Sequence, residues 1–209
     1  MRIGIGLGTN ADPARAAAEA VRQARRGVDR PALALVLGGI GLDQKRLNAA
    51  LRGLIDPNIM IGGSSYAEIT PAGVTRNSVA VLFLDFDGLK PRIVKMEHAP
   101  DQNETGLKLA EALGTAPRGG APLGFIFSSY AVPVKRGEGW LRVFQKWAPG
   151  CSWFGGYYCG DYDAGLGGAS VQTYQYGPGR PEISKRLFLG RFVLMRESPN
   201  ALLALAASF

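Results

Sequence analysis

The chain has 209 residues, of which 46% are apolar and 20% charged, an ordinary composition for a globular protein with a sizeable core. Its net charge of +7 is spread over both halves, with 11 basic and 8 acidic residues before position 91 and 13 and 9 after it. Nucleic-acid binding normally needs a concentrated basic patch, so we expect no nucleic-acid partner. No apolar run approaches the roughly 20 residues of a membrane-spanning helix, so we expect no membrane partner.

The cysteine and histidine content bounds the chemistry. Cys151 and Cys159 are too few for a disulfide framework, and with His98 as the only histidine no zinc-ligand spacing exists. The glycine-broken start does not resemble a secretory signal. We therefore expect a cytoplasmic protein with reduced thiols, no metal and no cofactor.

In chain order, the first 90 residues predict alternating strands and helices. These are a strand at 3–7, a helix at 13–26, a buried strand at 33–37, a helix from about 43 to 54, and strands at 58–61 and 78–84. Asp12 is the candidate N-cap of the first helix, with Pro13 at its first position. Gly4-x-Gly6-x-Gly8 hints at a dinucleotide fingerprint, but its third glycine falls one position early.

The same pattern restarts after residue 90. The apolar run at 123–127 lies 90 positions after that at 33–37, the helical triplet Trp140, Phe144 and Trp147 lies 93 positions after Leu47, Leu51 and Leu54, and 170–174 is matched with 78–82. We interpret this as a tandem duplication with units at about 1–90 and 91–181. A strand and a helix in 182–209 would complete a sheet edge, cap the second unit or lead into a further domain.

The predicted fold class is therefore α/β with mixed α+β features. Two tandem-duplicated β-α-β-α-β-β units would form one pseudo-symmetric body whose mixed sheets are covered by helices. Helix-linked apolar strands should be parallel, and the strands flanking the glycine motif antiparallel. A cleft between the two related halves is a usual place for a ligand.

Two glycine motifs stand 93 residues apart, Ile61-Gly62-Gly63-Ser64-Ser65-Tyr66-Ala67-Glu68 and Phe154-Gly155-Gly156-Tyr157-Tyr158-Cys159-Gly160-Asp161. One copy alone is most simply a turn or bulge followed by a solvated acid, but repetition favours a paired functional element. Backbone N–H groups would bind an anionic group if the turns form nests, and Glu68 or Asp161 would bind a cationic one. The candidate ligand-binding residues are Gly62, Gly63, Ser64, Ser65, Glu68, Gly155, Gly156, Tyr157 and Asp161.

The motifs resemble those of the FIST N-terminal domain. The resemblance rests on the strand and Asp12-Pro13 helix start, the run at 33–37, the first motif through Ile69 and Gly73, and the second motif, and it covers residues 2 to about 193. The family pattern is glycine-small-Ser-Ser-x-Gly-Glu-Ile, and Ala67 stands where the family often has glycine. The resemblance implies a sensory, small-ligand-binding domain of signal-transduction proteins, with amino acids among the proposed ligands. Because this sequence contains no recognisable output segment, we expect a separate output protein as partner.

Two other functions remain open. A hydrolase would use Ser64 or Ser65 as nucleophile, but neither lies in a Gly-x-Ser-x-Gly elbow and the sequence identifies no catalytic base. A protein-interaction scaffold would use a sheet edge or the cleft. We expect a small-molecule ligand, and the sequence leaves open whether the protein is also an enzyme.

Overall fold

The computed structural model describes residues 1–70, 73–88, 91–97, 102–114, 123–129, 139–158, 161–162, 171–177, 183–185 and 189–195. The helices in these ranges are α1 (Pro13–Arg25), α2 (Gln44–Leu54), α3 (Gln102–Leu113) and α4 (Gly139–Trp147), with a 3-10 turn at Pro57–Ile59. The strands are β1 (Arg2–Gly8), β2 (Leu33–Gly39), β3 (Met60–Ser65), β4 (Glu68–Thr70), β5 (Gly73–Thr75), β6 (Val79–Asp85), β7 (Arg92–Glu97), β8 (Leu123–Ser129), β9 (Ser152–Tyr158), β10 (Asp161–Tyr162), β11 (Val171–Tyr176), β12 (Ile183–Lys185) and β13 (Leu189–Met195).

The strands form two main sheets and one hairpin. The larger sheet has the order β1-β6-β2-β3-β11-β10, with β12 also paired to β11. The second sheet has the order β7-β13-β8-β9, and β4 pairs only with β5 among the described strands. The helix-linked pairs β2–β3 and β8–β9 are parallel and the other pairings are antiparallel, which confirms the predicted mixed α/β class.

Three apolar clusters show that the described elements form four layers. Strands of the larger sheet pack against α1 and α2 on one face, with Val36, Val81 and Phe83 in the cluster. The opposite face meets the second sheet, where Leu35 and Leu84 share a buried cluster with Phe125 of β8. The outer face of the second sheet is covered by α3 and α4. Because side chains alternate between the two faces of a strand, successive apolar residues of one strand pack into two different cores.

The glycines of β1 allow α1 to pack closely against the strand. A Cβ at Gly4, Gly6 or Gly8 would lie 1.8–2.0 Å from a backbone oxygen of α1, at Ala24, Ala20 and Ala16 respectively. Alternate glycines on the strand thus face alanines spaced four apart on the helix. The motif that hinted at a dinucleotide fingerprint is a helix-packing surface.

Both helices of the first half begin at an aspartate cap. Asp12 Oδ1 accepts hydrogen bonds from the backbone N–H groups of residues 14 and 15, as the sequence predicted. Asp43 Oδ1 does the same for residues 45 and 46 at the start of α2. A carboxylate therefore already occupies the helix N-terminus where an anionic ligand would otherwise bind.

The two main sheets have matching topology, but one predicted correspondence is wrong. β6 lies between β1 and β2, and the strand in the equivalent place between β7 and β8 is β13, not β11. β11 instead pairs with β3 in the larger sheet. The strand predicted within 182–209 therefore does not complete a sheet edge, because β13 is hydrogen-bonded on both sides. The helix predicted near the chain end lies outside the described residues, and the duplication and its unit boundaries stay predictions.

Candidate functional site

The first glycine motif begins inside the larger sheet. Gly62 and Gly63 lie between β2 on one side and β11 on the other, opposite Val36 and Leu37 in the parallel pair. A Cβ at Gly62 would stand 1.8 Å from the carbonyl oxygen of Val36, so only glycine fits there. Because both glycines are in the ladders of a paired strand, they form sheet backbone rather than an open nest.

The polar end of the motif is a hydrogen-bonded cluster around a buried carboxylate. Glu68 has no exposed surface, and its two carboxylate oxygens accept hydrogen bonds from the hydroxyls of Ser65 and Ser78. The Ser78 hydroxyl also lies 2.7 Å from Oγ1 of Thr75. A buried carboxylate needs such partners, so the cluster ties the end of β3 to the start of β6.

The protonation of Glu68 reflects this setting. Burial raises the pKa of the Glu68 carboxyl, and the hydrogen bonds from Ser65, Ser78 and nearby backbone N–H groups oppose part of that rise. With both oxygens occupied and no exposure, the carboxylate is not placed to contact a ligand directly. Its geometry is that of a positioning residue, whose hydrogen bond fixes the hydroxyl of half-buried Ser65.

An exposed aromatic and a cation lie beside this cluster. Tyr66, between Ser65 and Glu68, is 59% exposed, and the guanidinium carbon of Arg76 stacks 4.7 Å from its ring centroid. Arg76 lies outside the motif and approaches it through the β4–β5 hairpin, so no sequence pattern pointed to it. The pair offers a flat aromatic surface and hydrogen-bond donors next to Ser65.

The loop after β2 completes the same edge of the sheet. The backbone N–H of Ile40 donates to the carbonyl of Ser65, and that of Gly39 donates to the carbonyl of Ser78, both at 2.8 Å. Because β2 and β3 are parallel, their carboxyl ends meet here. Ligands of open α/β sheets commonly bind outside the carboxyl ends of such strands.

The second glycine motif occupies a matching register. Gly155 and Gly156 in β9 lie opposite Ile126 and Phe127 of β8, as Gly62 and Gly63 lie opposite Val36 and Leu37. Tyr157 follows them in β9, and β9 contacts β3. Asp161 begins β10, which joins the larger sheet through β11. The fold therefore brings the two glycine strands together, while Glu68 and Asp161 end up in different sheets.

The described residues offer few groups for serine catalysis, metal binding or thiol chemistry. Ser64 is buried, Ser65 shares the Glu68 carboxylate with Ser78, and His98 lies outside the described residues. Among those residues no group of three or more His, Cys, Asp or Glu side chains could hold a metal ion. Cys151 is a free thiol whose pKa is raised to about 12 by burial, so it is unreactive at neutral pH.

The described elements form a mixed α/β domain, and the family comparison places it among the sensory domains of signal transduction. The FIST N domain model matches residues 32–186, about three quarters of the chain. The chain belongs to the FIST N domain family, which confirms the resemblance seen in its motifs. No curated protein sequence matches the chain. Within the described residues no helix is long and apolar enough to cross a membrane.

Proposed function

We propose that this domain senses a small polar metabolite in the cytoplasm, with amino acids as the first candidates, and passes the signal to a separate output protein. The observation that carries the proposal is the family match, which covers both glycine motifs. The low cysteine content favours a reducing compartment.

The proposed binding surface is the carboxyl edge of β2 and β3. Ser65 supplies a hydroxyl that Glu68 orients, Tyr66 supplies an aromatic wall, and Arg76 supplies donors for an anionic group such as a carboxylate. Ser64, Gly62 and Gly63 shape the strand beneath this surface. The second motif, with Gly155, Gly156, Tyr157 and Asp161, would contribute through the contact of β9 with β3.

A thermal-shift screen against amino acids and organic acids tests this function. A ligand at about 100 times its dissociation constant should stabilise the fold by about 2.7 kcal/mol. At about 2–4 °C per kcal/mol for a chain of this size, the melting temperature should rise by roughly 5–11 °C. Arg76→Ala should abolish the shift caused by a carboxylate ligand. Val74→Ala, a change at another exposed residue of the same hairpin, should retain it. A screen without any stabilising compound, or a shift that Arg76→Ala leaves intact, contradicts the proposal.

A further inference from the structure

The outward surface of α1 and α2 is strongly basic. Among their exposed or half-exposed side chains are seven cations that we call the basic face: Arg15, Arg22, Arg25, Arg26, Lys45, Arg46 and Arg52. The two helices contain six basic residues and one acid, Glu19, and Arg26 is the C-cap of α1. Even with the caps Asp12 and Asp43 included, seven basic residues stand against three acidic ones.

This concentration is not a general property of the chain. The corresponding layer on the second sheet, α3 and α4, contains three basic and two acidic residues. Comparing the two halves of the sequence did not reveal this difference, because the first half also contains acids outside the two helices. Among them are Asp85, at the end of β6, and Asp87, which pair with Arg2 and the N-terminal amine. The fold therefore places most of the first-half excess charge on one side.

The geometry makes this surface a flat platform. On α1 the exposed positions 15, 18, 22 and 25 follow helical spacing on one face. Arg46 Nη2 lies 2.9 Å from Asp12 Oδ2 at the N-terminal ends, and Arg25 Nη2 donates at 2.9 Å to the carbonyl of Leu54 at the C-terminal ends. The helices therefore run side by side in the same direction. The exposed residues between the cations are small: Ala18, Ala49 and Gly53.

Three of the arginines are held in place by the fold. Besides the two contacts above, Arg52 Nη1 donates at 2.9 Å to the carbonyl of Gly177. A guanidinium has five N–H donors, and each of these contacts uses one of its nitrogens. Side chains already fixed lose less conformational freedom when a partner binds.

The side chains of the basic face suit carboxylates better than a lipid bilayer or nucleic-acid bases. The described part of the chain exposes large apolar side chains at several places, but none is on α1 or α2, so the face has no anchor for a lipid bilayer. It has no aromatic side chain for stacking on bases, and the helix N-termini that would bind phosphates carry Asp12 and Asp43. Arginine forks on a flat surface match carboxylates bidentately.

We propose that the basic face docks an acidic protein surface, which makes it the output interface of the domain. This goes beyond ligand sensing and does not depend on the ligand site. Electrostatic docking of this kind is fast and salt-sensitive, and arginine is enriched in protein interfaces.

The test uses the full chain and three probes: a helical peptide with glutamates along one face, duplex DNA, and phosphatidylserine vesicles. The variant Arg15→Glu/Arg22→Glu changes two exposed side chains of α1. The matched control, Lys108→Glu/Lys146→Glu, makes the same change in net charge on the exposed surfaces of α3 and α4. Thermal melts verify folding, and Arg15→Gln/Arg22→Gln replaces the first variant should it fail to fold.

Binding is measured by fluorescence anisotropy at physiological ionic strength. The proposal predicts peptide binding that weakens by about tenfold or more in the α1 variant and by less than about twofold in the control. Equal weakening in both variants, or no peptide binding at all, overturns it. Tighter binding of DNA or vesicles that depends on the α1 arginines overturns it as well, because the face would then serve another class of partner.

Discussion

The hydroxyl of Tyr176 donates a 2.6 Å hydrogen bond to Oε1 of Gln44, across 132 residues of sequence. Tyr176 ends β11, from the second half of the chain, and Gln44 begins α2, from the first. Gln44 Nε2 in turn donates at 2.7 Å to the carbonyl of Gly39 at the end of β2. Both side chains are buried, so this relay joins the halves immediately behind the proposed ligand edge.

Removing the Tyr176 hydroxyl should destabilise the whole domain. Tyr176→Phe leaves the buried Gln44 Oε1 without this donor, which costs about 1–3 kcal/mol. Chemical denaturation measures the loss. Tyr66→Phe is the control, because that ring is exposed and its change should stay within about 0.5 kcal/mol. Equal stability of the two variants would show that the buried bond contributes nothing.

The close approach of β1 and α1 gives a second prediction. Gly6→Ala places a Cβ 1.8 Å from the carbonyl oxygen of Ala20, so the helix must move, at a cost of about 1–3 kcal/mol or more. Gly53→Ala, at an exposed position of α2 with nothing within 4 Å of the new Cβ, should instead stabilise the protein by about 0.5–1 kcal/mol. Denaturation midpoints moving in the same direction for both variants would contradict the packing described here.

Glu68 should make stability depend on pH. Its folded pKa is raised above the ordinary value of 4.5 by burial, so the folded state holds this proton more tightly than the unfolded chain. The contribution of Glu68 to the free energy of unfolding is therefore greatest below that value. It falls as the pH rises through the folded pKa.

Glu68→Gln, neutral at every pH, should remove this dependence. The difference in unfolding free energy between wild type and variant is measured by urea denaturation from acidic to neutral pH. Glu111→Gln reports the same chemical change at an exposed position of α3. A Glu68→Gln difference that does not vary with pH would mean that the carboxyl is not buried as described.

Much of the fold follows from sequence periodicity. The sequence offsets of 90 and 93 residues agree with the strand register. Val36 lies opposite Gly62, and Ile126, 90 residues later, lies opposite Gly155, which is 93 residues after Gly62. Asp12 caps α1 as predicted, because Asp-Pro at a helix start is a local signal. Local signals of this kind do not need the rest of the chain.

Periodicity could not predict that β13, rather than β11, lies between β7 and β8. Both segments have strand-like composition, and which one fills the gap between β7 and β8 is decided by contacts far apart in sequence. For the same reason the serine that completes the Glu68 cluster, Ser78, was missed, as was the Tyr66–Arg76 pair. Ligand binding by the motif residues stays a prediction.

The most direct test of the proposed sensing function is amide chemical-shift mapping with a compound that raises the melting temperature. We expect the perturbed amides to cluster at 39–41, 64–66 and 76–78, along the carboxyl edge of β2 and β3. We also expect Ser65→Ala to weaken binding while the fold is retained. Shifts confined to other surfaces, such as α1 and α2, or a Ser65→Ala protein with unchanged affinity, would contradict it.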